Sequence, residues 1–424
     1  MKKTVLIFTI VLNFMFFQNI FAQVITDSVD MGASVNGVSR PNDIFYSFKN
    51  GFVQSVERSS YDIAFYTNVF SSGIVLNTAK GNMLYTYPKG DTSVWNTTFD
   101  TTGLYSWEAM YNSEKIWEEG AFGMFQQGHP DYGWGRYNSI SHNVVGDSLF
   151  IIKLGNSYKK LWILRKESMA NTYYLRWANL DGSNQVDDTA DCSTYTSKNF
   201  VGFNFSTGNM VDIEPASNSW DMKFTKYTAW YDNQMWYTLT GVHTNNDVSV
   251  QFINDHDTTY SFFDIGMFDT SSISTIGYSW WKLSGMSTLV KDSCVYFVKD
   301  TDGDVYKLVF ASVSSPFRKI FFRKQFISGV GIETQISENI KNSYVYPNPA
   351  SDKLTLILDL EKAGSMYYSV MDVSGKILYG ESVNHIGSGL NQIQIPIENL
   401  SNGVYFMQIK DSGFQKTIKF VVNK

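Results

Sequence analysis

The stretch Ser60-Tyr61-Asp62-Ile63-Ala64-Phe65 returns in the middle of the chain as Ser219-Trp220-Asp221-Met222-Lys223-Phe224. In both copies large apolar residues alternate with small or polar ones: Tyr61, Ile63 and Phe65 against Asp62, and Trp220, Met222 and Phe224 against Asp221. A period of two is the signature of a half-buried β-strand. The surroundings match as well. Upstream, FYSFKNGFVQSV (45–56) resembles FNFSTGNMVDIE (203–214). Downstream, GDSLFIIK (146–153) resembles KDSCVYFVK (291–299), and each runs through a Gly-bearing turn into a Lys-Leu strand. Three matched blocks in one order indicate a duplicated unit, and that constrains the fold more than any single motif.

At 424 residues the chain has room for two or three domains. Aromatic residues make up 16% and charged residues 17%, the latter below the usual share of about 25%. The rings sit in short alternating runs, which favours sheets. The net charge of −6, with no basic cluster, leaves no electrostatic footprint for nucleic acid.

Residues 1–22 read as a signal peptide. Met1-Lys2-Lys3 supplies the positive start, Val5 to Phe17 the apolar core, and Ala22 the cleavage position before Gln23. A membrane anchor needs about 18–20 apolar residues, and Asn13, Gln18 and Asn19 interrupt this run. The mature chain is therefore expected to be exported with no transmembrane segment, and no Cys near the cleavage point marks a lipoprotein. Two readings stay open for Cys192 and Cys294. Export permits a disulfide, which would close a loop of about 100 residues and contribute at most about 4–5 kcal/mol. The alternative is two unpaired thiols, one of them buried.

In chain order, the first repeat occupies 23–178, its matched part beginning at Asp43 after a polar lead-in. Within it, Trp107 to Gly120 is the best helical candidate, with Glu108, Glu114, Glu118 and Glu119 around Met110, Ile116 and Trp117. An aromatic and glycine loop, GHPDYGWGRY (128–137), follows; such loops on a sheet scaffold often carry binding residues. A polar connector (179–199) leads to the second repeat, 200–327. Its last hairpin carries Asp300-Thr301-Asp302-Gly303-Asp304, which lacks the twelve-residue spread and final Glu of a calcium loop. Asp-Gly between alternating runs signals a hairpin turn instead. Residues 328–343 are a linker, and 344–424 form short, evenly spaced strands that read as a small β-sandwich.

The motifs Tyr346-Pro347-Asn348-Pro349-Ala350, Gly375-Lys376, Leu400-Ser401-Asn402-Gly403-Val404-Tyr405-Phe406 and the closing KTIKFVVNK (416–424) are similar to the type A C-terminal sorting domain of the type IX secretion system of Bacteroidota. That resemblance implies engagement of the secretion machinery and passage to the cell surface or the medium. The strand Trp220-Asp221-Met222-Lys223-Phe224 and the hairpin Val295-Tyr296-Phe297-Val298…Val305-Tyr306-Lys307-Leu308 resemble the HmuY family of exported, all-β haem-binding proteins. The expected fold is thus all-β: two tandem HmuY-like β domains followed by a β-sandwich sorting domain.

The resemblance implies haem as cofactor, free or drawn from host haemoproteins, with iron held between two His or Met side chains. The alignment ISHNVVGDS (140–148) with GMSTLVKDS (285–293) puts a possible ligand, His142 or Met286, just before the last hairpin of each repeat. Upstream partners come from Met110, Met124 or His129, and from His256 or Met267. The chosen pairs are His129 with His142, and His256 with Met286. No G-x-S-x-G elbow, H-E-x-x-H helix, P-loop or zinc spacing occurs, so the chain is read as a binding protein rather than an enzyme. The abundance of Tyr and Trp keeps an adhesin or glycan-binding protein without haem as the alternative.

Overall fold

The structure, a computed structural model, describes residues 24–34, 40–232, 234–260, 263, 265–284, 287–314, 317–328, 339–373, 375–411 and 414–424. The leader, Met286 and most of the linker lie outside these residues. The fold is all-β, and every helical segment among the described residues is a three-residue 3₁₀ turn. No helix among them is long and apolar enough to cross a membrane.

Three bodies of packed side chains account for most of the interior. The first core gathers Ile63, Phe65, Trp134, Phe150, Leu161 and Tyr173 together with Val201, Phe203 and Phe205. The second gathers Met222, Phe224, Trp280, Tyr296, Leu308 and Phe322 together with Val29, Met31, Ile44, Tyr46 and Phe48. The third is confined to residues 340–422. Each of the first two cores thus takes strands from the opposite end of the duplicated sequence.

Backbone pairing shows how this happens. The hairpin Asn42–Ser47 and Gly51–Glu57 leaves its own repeat and adds to Met222–Tyr231, with Tyr46 opposite Met222. Reciprocally, the hairpin Phe200–Asn204 and Asn209–Val211 adds to Ile63–Tyr66, with Phe203 opposite Ile63. The edge strands follow the same rule. Val24–Asp30 borders Lys319–Ser328, and Val186–Asp191 borders Thr172–Asn179. Residues 186–211 close the first body next to its own chain, whereas residues 24–57 close the second from the far N-terminus.

The repeated Asp is what fastens each borrowed hairpin. The Phe48 amide donates to Asp221 Oδ2 at 2.7 Å, and the Phe205 amide to Asp62 Oδ2 at 3.0 Å. The Asp221 amide returns a bond to Tyr46 O (2.8 Å), and the Asp62 amide one to Phe203 O (2.9 Å). Two asparagines complete the matched corners. Asn77 donates its side-chain amide to Arg58 O and Tyr61 O (2.7 and 2.9 Å), and Asn245 to Ser217 O and Trp220 O (2.5 and 2.7 Å). Tyr61 and Trp220, at these corners, pack into one shared cluster with Phe45, Phe200 and Ile213.

Two expectations need correction. Residues 107–120 do not form a helix but an extended loop pinned to the strand Ile74–Leu76. Asn112 accepts the Leu76 amide at 2.9 Å and donates to Leu76 O at 2.8 Å. Gly120 lies so close that a Cβ there would stand 1.9 Å from Ile74 O. Helical dihedrals would break both contacts, so tertiary pairing overrides the spacing of the glutamates. The polar connector also holds a strand, Val186–Asp191, whose outward Asp187 pairs with Arg176. Edge strands with charged outer faces carry little apolar signal.

The linker's final residues enter the strand Ile340–Tyr346, which pairs with Leu354–Leu360 and opens the three-stranded sheet of the tail. A four-stranded sheet, with Gly403–Asp411 and Phe414–Val422 at one side, packs over it.

Candidate functional site

The loop 128–142 brings two predicted histidines to one tyrosine. His142 Nδ1 lies 2.6 Å from the Tyr137 hydroxyl, and the His129 ring stands 5.1 Å from the Tyr137 ring and 3.3 Å, through Nδ1, from the Tyr132 hydroxyl. The hairpin Gly135–Asn138 and Asn143–Gly146 carries His142 at its tip, where a φ of 57° turns the chain back. Both histidines are exposed. His256 sits far along the chain on an exposed turn, its ring 4.3 Å from that of Tyr260. Met286, its predicted partner, lies outside the described residues. Met110 is buried in the first core and accepts the Thr86 hydroxyl, so it faces no opening.

The cysteines sit in different cores. Cys192 packs in the first and Cys294 in the second, both as buried free thiols. The Asp300–Asp304 segment is the turn of the hairpin Cys294–Lys299 and Val305–Val313, with the Asp304 amide on Asp300 Oδ1. Among the described residues no three His, Cys, Asp or Glu side chains converge as a metal site.

Two further features were not singled out from sequence. The first is a polar cleft where the two bodies meet. Its walls include Tyr61, Trp117, Phe200, Glu214, Lys223, Lys226, Tyr227 and His243, and its volume is about 70 Å³. Arg58 Nε donates to Asp43 Oδ1 at 2.7 Å, Lys223 Nζ reaches Asp43 Oδ2 at 3.2 Å, and the Thr225 hydroxyl donates to Asp43 Oδ1 at 2.7 Å. Burial pushes the Asp43 carboxyl up, but Arg58 and Lys223 outweigh it and hold the group below its ordinary range. Burial pushes Glu214 up to about 7, against the nearby Lys223 and the amides of Asn199 and Phe200 that bind its Oε1. Burial drives His243 down to about 3, so its imidazole is neutral, and its Nε2 is enclosed with no hydrogen-bond partner among the described residues. Such a charge cluster depends on the exchange: Asp43 and Arg58 arrive with the N-terminal segment, Lys223 and His243 with the second body.

The second feature is an aromatic groove at the turn between Met222–Tyr231 and Met235–Thr244. Its volume is about 160 Å³, and it is lined by Tyr231, Asp232, Gln234, Met235, Tyr237, Leu239 and Leu283. Trp230 is 44% exposed and Tyr237 53%. In the groove Tyr231 lies between Tyr237 and Tyr278 at 6.0 and 5.6 Å, while on the opposite face of the hairpin Trp230 meets Trp236 at 5.5 Å and Tyr111 stacks on Trp236 at 4.2 Å. Glu114 of the cleft accepts the Trp230 amide of the same strand at 3.1 Å. The sequence signal was available: TAWYDNQMWYTL (228–239) places rings on both sides of an Asp-Asn turn.

A β body followed by a separately cored β-sandwich is the plan of a modular exported protein, with a working part and a delivery part. Residues 344–423 identify the delivery part: they match the secretion system C-terminal sorting domain. The chain is accordingly cargo of the type IX secretion system, engaged by its machinery and carried to the cell surface or released. No curated protein sequence matches the chain. Among solved structures it is similar to dimeric latent PorU from Porphyromonas gingivalis, at 9% identity and a TM-score of 0.19, covering 66% of this chain and 26% of that one. It is also similar to PorZ, a surface component of the type IX secretion system of Porphyromonas gingivalis, at 10% identity and a TM-score of 0.16, covering 65% and 56%. The chain therefore spans about a quarter of the first of these proteins and just over half of the second.

Proposed function

We propose that the protein is an extracellular glycan-capture protein, not an enzyme, and that the aromatic groove lined by Tyr231 and Tyr237 is its binding face. The single observation that carries this reading is the exposed ring cluster beside Asp232 and Gln234. Sugars present flat C–H faces and a rim of hydroxyls, and they are matched by exposed rings flanked by a few polar side chains. Exposed aromatic patches on a soluble surface usually mark interaction sites. Export to the cell surface puts the groove where polysaccharides are met. Glycan-array binding by the full chain tests the reading. Signal that is lost in Tyr231→Ala and Tyr237→Ala, with folding intact, supports it; a blank array across neutral and acidic glycans refutes it.

A second reading, haem capture, is favoured by one observation, the meeting of His129 and His142 at Tyr137. Two exposed imidazoles on one loop suit axial ligation of a porphyrin iron. Hemin titration should then sharpen the Soret band, and His142→Ala should change it. A flat titration in both redox states removes this reading and leaves the glycan reading untouched.

A further inference from the structure

Three turns at one end of the first body each present an apolar side chain that nothing covers. Phe70, Ile140 and Met169 are 88%, 91% and 89% exposed, and among the described large apolar residues only Tyr105 is as open. The turns, 67–72, 138–143 and 168–171, are far apart in sequence but fastened to one another. The Ser168 amide donates to Asn143 Oδ1 at 3.1 Å, and Asn171 Nδ2 to Thr67 O at 2.6 Å. Beneath them the buried Lys166 ammonium gathers the carbonyls of Asn68 and Val69, each at 3.2 Å, and that of Ser71. Scattered single apolar residues need no explanation, but three gathered at one end mark an interaction site.

The backbone of these turns points to the partner. A loop facing water leaves its amides and carbonyls to the solvent, whereas one that dips into hydrocarbon must have them satisfied by protein. Here the protein supplies the partners. Asn68 Oδ1 accepts the Phe70 amide at 3.0 Å, and Asn138 Oδ1 accepts those of Ile140 and Ser141 at 2.9 and 3.1 Å. The Ser72 carbonyl accepts Trp134 Nε1 at 2.9 Å, and the Ala170 carbonyl accepts the Thr172 hydroxyl at 3.0 Å. Charge points the same way. In a chain of net charge −6 the three turns hold no Asp or Glu, and Glu167 beside them is paired with Arg165 at 3.0 Å. Each tip stands singly among Ser, Asn and Ala, which suits acyl chains that yield around it; a rigid protein partner would need three matched pockets. We infer that this end of the first body is a lipid-docking face, on which Phe70, Ile140 and Met169 enter the acyl layer of a membrane surface. Export to the cell surface brings the chain to such a layer. The face shares no residue with the aromatic groove, so it stands apart from the glycan reading.

The experiment uses the chain from Gln23 onward, which omits the apolar leader, and phosphatidylcholine vesicles containing phosphatidylglycerol. The parent should co-sediment with the vesicles. Phe70→Ser, Ile140→Ser and Met169→Ser should each weaken partition about ten-fold or more, the value of one large apolar side chain leaving water. All three side chains face solvent, so the variants keep their fold, and an unchanged thermal midpoint verifies that. Tyr105→Ser, at an equally exposed site on another loop, should bind as the parent does. Absence of vesicle binding, binding that survives the three substitutions, or an equal loss in Tyr105→Ser overturns the inference. So does a dimer in sedimentation velocity that Phe70→Ser disperses while no vesicles are bound, since the face would then be a contact between copies of the chain.

Discussion

Residues 214–328 carry nearly all of the second body in sequence, yet they should not fold without residues 24–57. The missing segment contributes Val29, Met31, Ile44, Tyr46 and Phe48 to the second core, each at most 2% exposed. Full burial of a side chain of this kind is worth about 1.5–3 kcal/mol, so the five together supply roughly 8–15 kcal/mol. A domain's whole stability is about 5–15 kcal/mol. Removing the segment also bares the edge of Lys319–Ser328 and leaves Asp221 without the Phe48 amide. The rescue is a permutation. In the first body the turn 180–185 joins Thr172–Asn179 to its edge strand Val186–Asp191, and in the second body Val24 already stands opposite Gln325. Joining Ser328 to Val24 through the sequence of 180–185 should therefore restore a cooperative unit. Urea unfolding followed by near-ultraviolet circular dichroism distinguishes the two chains: no transition for 214–328, a single sigmoid for the permuted chain. A sigmoid of equal midpoint for 214–328 alone would refute the argument that the N-terminal segment completes this core.

Trp220→Ala should cost about 3–5 kcal/mol in urea unfolding, whereas Trp220→Phe should cost much less, because the indole Nε1 has no partner to lose among the described residues. Glu214, raised by burial to about 7 from 4.5, opposes folding when ionised: its penalty is absent below about pH 4.5 and complete above pH 7, and it amounts to about 3 kcal/mol. Glu214→Gln should then gain stability over the parent by that amount between pH 4.5 and pH 8, read as a growing gap in urea midpoints; a pH-independent gap contradicts the assignment. Deleting residues 344–424 should leave a folded chain in the periplasm, because the tail has its own core; cell fractionation showing the truncated chain at the surface would contradict this.

Strand identity was legible because its cause is local. Ser219-Trp220-Asp221-Met222-Lys223-Phe224 alternates, and alternation is all a half-buried strand requires. The tail was legible because its turn motifs are strung in one order. The partner of each strand was not. Tyr46 and Phe203 fit their own repeat and the other equally well, since the Asp-anchored corner is the same in both. What selects the exchange is chain connection and burial at the junction, neither of which has a periodicity. The helix expected over 107–120 failed for the same reason: Asn112 and Gly120 answer to Ile74 and Leu76, over 30 positions away. At the candidate sites, the meeting of His129 and His142 was readable from their placement around one loop. The cleft was not, because its walls come from many segments spread between Tyr61 and Ile273.

The exchange also explains why the cleft is charged at all. In a simple tandem of two sandwiches, Asp43 and Arg58 would lie in one body, and Lys223 and His243 in the other. Carrying residues 42–57 across buries Asp43 and Arg58 against Met222–Tyr231, where Thr225 and Lys223 complete the carboxylate's partners. The matching corner of the first body has no such surplus. There Asp62 takes Lys80 at 2.7 Å, a one-to-one pair. In the second body Asp221 is met by the Phe48 and Thr301 amides and the Ser47 side chain, all neutral donors, while the cations collect around Asp43. Duplication thus supplied two equal corners and divergence spent the second one's charge at the junction. A binding site formed there inherits residues from both bodies, so ligand affinity and the closure of the second core by the N-terminal segment should rise and fall together.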